Sequence, residues 1–211
     1  MSKREHNRAE NQARILAAAE EEFGLRGFAG TSIQDIAERA GLPKANVVYY
    51  FATKVNLYKE VLNKIARGWN DVFNRATVDD DPAEVLDTFI RVKLAQSLKY
   101  PRASRIFAME ILQGAPHHKD YLRDDLRPWL RDRAAVIEGW IAAGKMAPVE
   151  PAQLIFMIWA TTQHYADFEV QVLTLLNRAE YESTDIDRIG DQVSALILRG
   201  CGLEPRKRSS P

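Results

Sequence analysis

Apolar residues recur every three or four positions along almost the whole chain, and this spacing limits the possible folds more than any other feature. Ile15, Ala19 and Phe23 follow it near the start, and residues 57–72 follow it again. Apolar side chains at this spacing share one side of an α-helix, whereas a half-buried strand alternates with a period of two. Only 154–159 is apolar enough for a buried strand, and its flanks are helical. The sequence therefore predicts an all-α fold.

Glycine, proline and capping residues divide this pattern into separate helices. Gly27 is expected to close the first helix, and Thr31 with Gln34 has the spacing of a capping box that would open the second. Gly41 ends the second helix, and the third can begin at Pro43 because the first helical position needs no N–H. The remaining boundaries fall at Thr53, Asp81-Pro82, Tyr100-Pro101, Gly114, Gly144, Pro151, Thr184 and Gly200, and Pro128 either kinks or divides the helix around it.

Residues 31–51 predict a helix, a tight turn and a second short helix. Gly41 supplies the positive φ for the turn, and the small Ala37 lets the two helices cross closely. In a DNA-binding helix-turn-helix the second helix lies in the major groove. The residues of that helix that would point outward are Lys44, Ala45, Asn46, Val48 and Tyr49.

Several of these outward residues have the chemistry that DNA requires. The Asn46 amide can both donate to and accept from a base edge, and Lys44, Tyr49 and Tyr50 suit phosphates or sugars. An N-terminal arm can add phosphate contacts through Lys3, Arg4 and Arg8. A helix–glycine–helix corner also occurs in proteins that do not bind DNA, so a helical protein–protein adaptor stays an alternative.

Charge and composition exclude some classes of protein without choosing a partner. Lys plus Arg and Asp plus Glu number 29 each, and residues 1–76 have a slight positive excess. The single cysteine, Cys201, cannot form an internal disulfide, and no apolar run approaches the ~18 residues of a membrane span. The charged start has no hydrophobic stretch behind it, unlike a secretory signal. We expect a cytoplasmic protein that does not enter a membrane.

Residues 15–62 resemble the TetR family of one-component regulators. The matching pieces are Phe23-Gly24, Gly30-Thr31-Ser32, Ile36-Ala37, Ala40-Gly41, Tyr50-Phe51, Lys54 and Leu57. The resemblance implies a three-helix DNA-binding domain followed by a larger helical domain for ligand binding and dimerisation. It also implies that Thr31 and Lys54 contact phosphates from helix starts. The chain departs from the family pattern at Pro43, where a capping serine is common.

Composition alone favours a domain boundary at the acidic stretch 78–84. With the resemblance, we expect a DNA-binding domain at 1–54, a ligand-binding and dimerisation domain at 55–203, and a disordered basic tail at 204–211. One short helix reads few base pairs, so a two-fold dimer with recognition helices about 34–36 Å apart is expected. The last helix and parts of 151–168 would form its interface as a four-helix bundle.

Residues 100–116 and 144–168 resemble the ligand-binding domain of TetR-family regulators of pyrimidine utilisation. Those regulators sense uracil and thymine and control pyrimidine degradation genes, so the resemblance implies a repressor with such an effector. Trp159 and Gln163 lie four residues apart, so one helix face offers an aromatic plane and an amide. The further candidates for the site are Lys93 and Arg105 as donors, and Tyr165 and Trp69 as walls.

Each candidate for the ligand site also has a structural alternative. Trp159 can belong to the core, Gln163 can bond a backbone group, and Arg105 can pair with Glu110. The sequence has no G-x-S-x-G and no phosphate-binding glycine loop, and His117-His118 lack further ligands at metal spacing. We therefore expect neither an enzyme nor a metal or cofactor site, and we expect the two histidines to lie in a solvated loop.

Overall fold

The structure is a computed structural model that describes residues 3–205, with side chains from residue 5 onward. Every regular element in this range is helical, which confirms the predicted all-α fold. The helices are α1 (Lys3–Gly30), α2 (Ile33–Ala40), α3 (Lys44–Phe51), α4 (Lys54–Asn74), α5 (Pro82–Lys99), α6 (Pro101–Leu112), α7 (Lys119–Tyr121), α8 (Arg127–Ala142), α9 (Pro151–Asp167), α10 (Glu169–Leu175) and α11 (Asp185–Gly200). Within the described range no helix is long and apolar enough to cross a membrane.

Two compact units make up the chain. The first comprises the described residues up to Arg67 together with Arg102–Tyr121, and the second comprises Gly68–Pro101 together with the described residues from Leu122 onward. Helix α4 contributes residues to both units. The predicted contacts of Lys3 and Arg4, and most of the tail predicted to be disordered, lie outside the described side chains.

In the first unit, α1, α2 and α3 pack around a shared core. Two charged side chains attach the C-terminal end of α2 to α1. Arg14 Nη2 donates to Ala40 O at 2.7 Å, and Arg39 Nε lies 2.6 Å from the Glu22 carboxylate. The Arg14 contact satisfies a carbonyl that the end of α2 leaves without an intrahelical partner. The fully buried side chains of this core include Ile15, Ala19, Ile36, Ala37, Val47, Leu57 and Val61.

The capping box of α2 lies one residue further along the chain than predicted. Ser32 is the N-cap, its Oγ accepts from Asp35 N at 3.1 Å, and Asp35 Oδ2 accepts from Ser32 N at 2.9 Å. The prediction that Thr31 and Gln34 form the box is wrong because Thr31 is buried. Its hydroxyl lies 2.9 Å from Gly27 O and 3.0 Å from Glu22 O.

Other predicted boundaries hold with small changes. Gly27 interrupts α1 at φ 69°, although the helix resumes and runs to Gly30. Gly41 ends α2 in the left-handed region at φ 63°, as the tight turn requires. Thr53 caps α4 by accepting from Asn56 N at 3.1 Å. Around Pro128 the regular α-helix is interrupted, because a π-helical turn at 122–126 separates α7 from α8, and Pro128 lies in the first turn of α8.

Two predictions at the C-terminal end were incomplete. Thr184 precedes α11, but its side chain makes no capping hydrogen bond there. Helix α10 was not predicted as a separate element. Its apolar side chains Val170 and Leu175 are exposed, so α10 does not have the single buried apolar face from which an amphipathic helix is predicted.

In the second unit, α5 packs against both α9 and α11. Phe73, Phe89 and Trp140 are fully buried at the centre of the core. Trp140 Nε1 donates to Thr77 O at 3.0 Å, which fixes α8 to the connection between α4 and α5. A polar contact joins α5 to α11, where Ser194 Oγ donates to Asp87 Oδ1 at 2.5 Å.

Candidate functional site

Helix α3 carries a solvent-facing surface made of the side chains predicted to contact DNA. Tyr49 is 75% exposed, Lys44 and Ala45 are exposed, and Asn46 and Tyr50 are half-buried. The opposite side of α3 is anchored by Val47 and Phe51, which are both buried. The structure thus places all five predicted α3 residues on one short helix held by its inner face.

Lys54, at the start of α4, has structural partners within the first unit. Its Nζ donates to Phe28 O and to Thr31 O, both at 2.9 Å, and lies 4.4 Å from the centre of the Phe28 ring. These contacts fasten the end of α1 to the start of α4. We interpret Lys54 and Thr31 as residues that position the DNA-binding helices, and their phosphate contacts stay predictions.

Lys54→Met is expected to lower the free energy of unfolding by about 1–3 kcal/mol, because it removes two charge-assisted hydrogen bonds to carbonyls. Urea titration at equal protomer concentration measures this change. Lys59→Met on the same helix is the control and should change stability by less than about 0.5 kcal/mol. Equal stability of the two variants would contradict the structural role of Lys54.

The two adjacent histidines do not lie in a solvated loop, and that prediction is wrong. His118 is buried with its ring stacked on Tyr121 at 4.4 Å, and the His117 ring lies 4.2 Å from the Phe28 ring. The buried Glu110 carboxylate accepts from His117 N at 2.6 Å. Burial and the nearby Glu110 charge raise the pKa of Tyr58 well above its usual range. The described residues contain no group of metal-binding side chains.

Lys93 is the most unusual polar residue of the second unit. It lies on α5, is 1% exposed, and its Nζ sits 4.0 Å from the centre of the Trp69 ring. Burial lowers the pKa of its ammonium to about 7, although the charge of Asp167 opposes this shift. A lysine at such a position is costly for folding, so a ligand that it binds would explain its presence.

Lys93 should make stability depend on pH. Its pKa is about 7 in the folded protein and near the ordinary 10.5 after unfolding, so the unfolded chain binds more protons between these values. The free energy of unfolding should therefore increase as pH rises from 7 to 9, by at most about 1.4 kcal/mol per pH unit. Lys93→Met should be more stable at pH 7 and should lack this increase. Parallel stability curves for the two proteins over this range would refute the assignment.

Trp159 and Gln163 lie on α9 at the spacing that the sequence indicated, and both are half-buried. The Trp159 ring stacks on Trp129 at 5.9 Å with 25° between the planes, so one of its faces is occupied by protein. Its Nε1 is buried and has no hydrogen-bond partner among residues 3–205. Asp167, which acts on Lys93, follows Gln163 by one helical turn. The charge of Asp167, near the end of α9, therefore acts on the buried Lys93 of α5.

The structure does not bring all the predicted ligand residues together. Tyr165 follows Gln163 by two residues, which turns it to another side of α9. It lines a separate groove of about 470 Å³ that Leu175 and Tyr181 also border. Arg105 is half-buried on α6, within the first unit.

Sequence reasoning missed two residues of α5 that carry buried polar atoms near Lys93. Ser97 is fully buried, and neither its Oγ nor the buried Oε1 of Gln96 has a hydrogen-bond partner within the described range. Their spacing from Lys93, three and four residues, would have placed them on the same face of the helix. Polar residues at helical positions usually face solvent, and only the structure shows that these atoms do not.

Helices α9 and α11 form an apolar surface. Leu196 is 62% exposed and Met157 is 58% exposed, and both border a groove of about 380 Å³ between the two helices. Exposed apolar surface of this kind commonly marks a protein–protein contact. It coincides with the segments predicted to form the dimer interface.

A tight turn between two short helices, with the second exposed on one side and anchored on the other, is the geometry of a helix-turn-helix DNA-binding domain. Residues 15–61 match the model of bacterial regulatory proteins of the TetR family, and residues 62–204 match that of the C-terminal region of YcdC-like proteins. The chain belongs to the TetR family. It is a ligand-responsive transcriptional regulator of that family and not an enzyme.

Relatives and solved structures agree with this assignment. The chain is 41% identical over 192 residues to the HTH-type transcriptional regulator RutR of Escherichia coli K12, covering 91% of this chain and 90% of RutR. It is 32% identical over 120 residues to TtgR of Pseudomonas putida, covering 56% of this chain and 54% of TtgR. The fold matches PfmR of Thermus thermophilus with a TM-score of 0.66 at 20% identity, covering 92% of this chain and 100% of PfmR. TetR-family regulators bind operator DNA and small-molecule effectors and form dimers.

Proposed function

We propose that this protein is a homodimeric repressor of pyrimidine catabolism genes that releases its operator when uracil or thymine binds. The buried Lys93, set against Trp69 and under the influence of the Asp167 charge on α9, is the observation that carries the effector assignment. The exposed surface of α3 supports the contact with DNA. The resemblance to regulators of pyrimidine utilisation supports both the DNA-binding role and the pyrimidine effector.

On the DNA side, α3 would lie in the major groove with Asn46 toward a base edge. Lys44, Tyr49 and Tyr50 would reach the phosphates and sugars on either side, and Ala45 would allow the helix to approach closely. Thr31 and Lys54 would hold the end of α1 and the start of α4 in place. A phosphate contact by Thr31 or Lys54 would be in addition to this positioning of the helices.

Asn46→Ala and Lys44→Ala should weaken operator binding in different ways. Losing a bidentate amide contact is expected to cost roughly 1–3 kcal/mol at one base pair and to relax the preference there. Losing a phosphate contact should weaken operator and unrelated DNA alike and reduce the salt slope by about one. Fluorescence anisotropy with operator and scrambled duplexes at several salt concentrations separates the two effects. Unchanged operator affinity in both variants would contradict the assignment of α3.

On the effector side, a pyrimidine base is small and uncharged. Its affinity must come from aromatic contact and from paired hydrogen bonds in a dry site. Gln163 offers a donor and an acceptor together, Lys93 offers donors to a ring carbonyl, and Trp159 offers its Nε1–H. Trp69 would form an aromatic wall next to Lys93. Arg105 and Tyr165 stay predictions from the sequence.

Calorimetric titration with uracil, thymine and cytosine tests the effector. Uracil and thymine should bind, and cytosine should bind poorly because it presents an amino donor where uracil has a carbonyl acceptor. The residues that would face that position, Lys93 and Trp159, carry donors. If no pyrimidine gives heat, the chain is a TetR-family regulator with an unrelated effector. A helical adaptor would instead show neither ligand nor operator binding.

Coupling between effector and operator would run through α4. This helix follows α3 directly in the sequence, and it carries Lys54 at its start and Trp69 near its end. Lys54 holds the DNA-binding helices, and Trp69 adjoins Lys93 of the proposed effector site. A ligand that binds one arrangement of α4 better than another shifts the population of the two. Such coupling is typically about 1–3 kcal/mol.

A further inference from the structure

Unpaired polar atoms in the core of the second unit indicate a binding site. Gln96 Oε1, Ser97 Oγ and Trp159 Nε1 are all buried, and none has a hydrogen-bond partner among the residues that the structure describes. Buried polar groups in folded proteins are nearly always paired, so each exception calls for an explanation. Two of the three lie on α5 within about one turn of Lys93, which is itself buried.

These α5 groups share a helix face and differ in chemistry. Residues three and four positions apart have neighbouring side chains on a helix, so Gln96 and Ser97 both adjoin Lys93. Lys93 is a donor when protonated, the buried Gln96 oxygen is an acceptor, and the Ser97 hydroxyl can be either. Phe89 and Leu94 on the same helix are buried and apolar, so the polar residues form a discrete cluster in an apolar surrounding.

We propose that Gln96 and Ser97 are ligand-binding residues of the effector site and that, with Lys93, they select a ring bearing both carbonyl and N–H groups. This inference rests on the proposed pyrimidine effector and assigns it a second polar wall, in addition to Gln163 on α9. A ring carbonyl would accept from Lys93, and a ring N–H would donate to Gln96 Oε1. A purely apolar ring would leave all of these groups unpaired.

If Gln96 and Ser97 bind the effector, their removal should change the stability of the free protein and its affinity for uracil in opposite directions. An unpaired buried hydroxyl costs stability while the site is empty, and it contributes affinity when a ligand pairs with it. Ser97→Ala should therefore stabilise the free protein and weaken the complex. If Ser97 had a purely structural role, Ser97→Ala would destabilise the free protein and would leave its affinity for uracil unchanged.

The experiment compares Ser97→Ala and Gln96→Met with Ser194→Ala as the matched control. The Ser194 hydroxyl is also buried, but it donates to Asp87 at 2.5 Å. The thermal midpoint is measured without ligand at equal protomer concentration, and the uracil dissociation constant is measured by calorimetry. Ser97→Ala and Gln96→Met should raise the midpoint by about 2–4 °C. Each should weaken uracil binding about tenfold. Ser194→Ala should lower the midpoint and leave the affinity unchanged.

Two results would overturn the assignment of Gln96 and Ser97. In the first, the wild-type protein binds uracil and both α5 variants bind it within about twofold of wild type. Uracil would then still be the effector, but Gln96 and Ser97 would not contact it. The other is a lowered midpoint with unchanged affinity, which would mean that the two groups are structural. A wild-type protein that binds no pyrimidine would remove the proposed effector itself, and this inference with it.

Discussion

Leu196→Glu is expected to convert the dimer into monomers and to weaken operator binding at least a hundredfold. Leu196 is 62% exposed beside the apolar groove between α9 and α11. In a two-fold interface each substitution occurs twice, so two carboxylates would be buried without partners, at a cost of several kcal/mol. Because operator binding requires two recognition helices at a fixed spacing, monomers should lose most of their specific affinity.

Leu175→Glu is the matched control for this experiment. Leu175 is 79% exposed on α10, so the same substitution is made at a similarly exposed leucine outside the α9–α11 surface. Sedimentation at micromolar concentration should show Leu196→Glu as a monomer and Leu175→Glu as a dimer. The opposite pattern would move the interface to α10 and contradict the four-helix arrangement of α9 and α11.

Gln163→Ala is expected to weaken uracil binding by about 30- to 150-fold, because it removes a paired donor and acceptor worth roughly 2–3 kcal/mol in a dry site. Operator binding without uracil should be unchanged. The variant should therefore stay on its operator at uracil concentrations that release the wild type. Anisotropy of a labelled operator, titrated with uracil, measures this directly.

Gln171→Ala provides the comparison for Gln163. Gln171 is exposed on α10, and its removal should leave both uracil and operator binding as in wild type. If Gln163→Ala releases the operator at the same uracil concentration as wild type, then the face of α9 that carries Gln163 does not bind uracil. The effector site would then have to be sought at the groove that Tyr165 lines.

The helix boundaries could be predicted from the sequence wherever one residue type decides the local conformation. Gly41 could adopt the positive φ of the turn, and Thr53 could accept from the Asn56 amide at the start of α4. The segment that begins at Thr31 contains two possible capping boxes, one from Thr31 to Gln34 and one from Ser32 to Asp35. Spacing could not choose between them, because the choice depends on Thr31 being buried against α1.

The candidate ligand site shows a similar limit. Trp159 and Gln163 could be proposed from the sequence because an aromatic and an amide share one face of an apolar helix. Gln96 and Ser97 could not be proposed from the sequence, since the burial of their polar atoms depends on how α5 is covered by other helices. Tyr165 was predicted as a wall of the same site as Gln163, yet an offset of two residues turns a side chain to another side of the helix.

The most direct test of the account is the operator affinity of the wild-type protein with and without saturating uracil. A labelled duplex from the intergenic region beside its gene serves as the probe, and anisotropy gives the dissociation constant. We predict that uracil weakens operator binding by about 5- to 150-fold, and that operator DNA weakens uracil binding by the same factor because coupling is reciprocal. Equal operator affinity in the presence and absence of uracil would contradict the account.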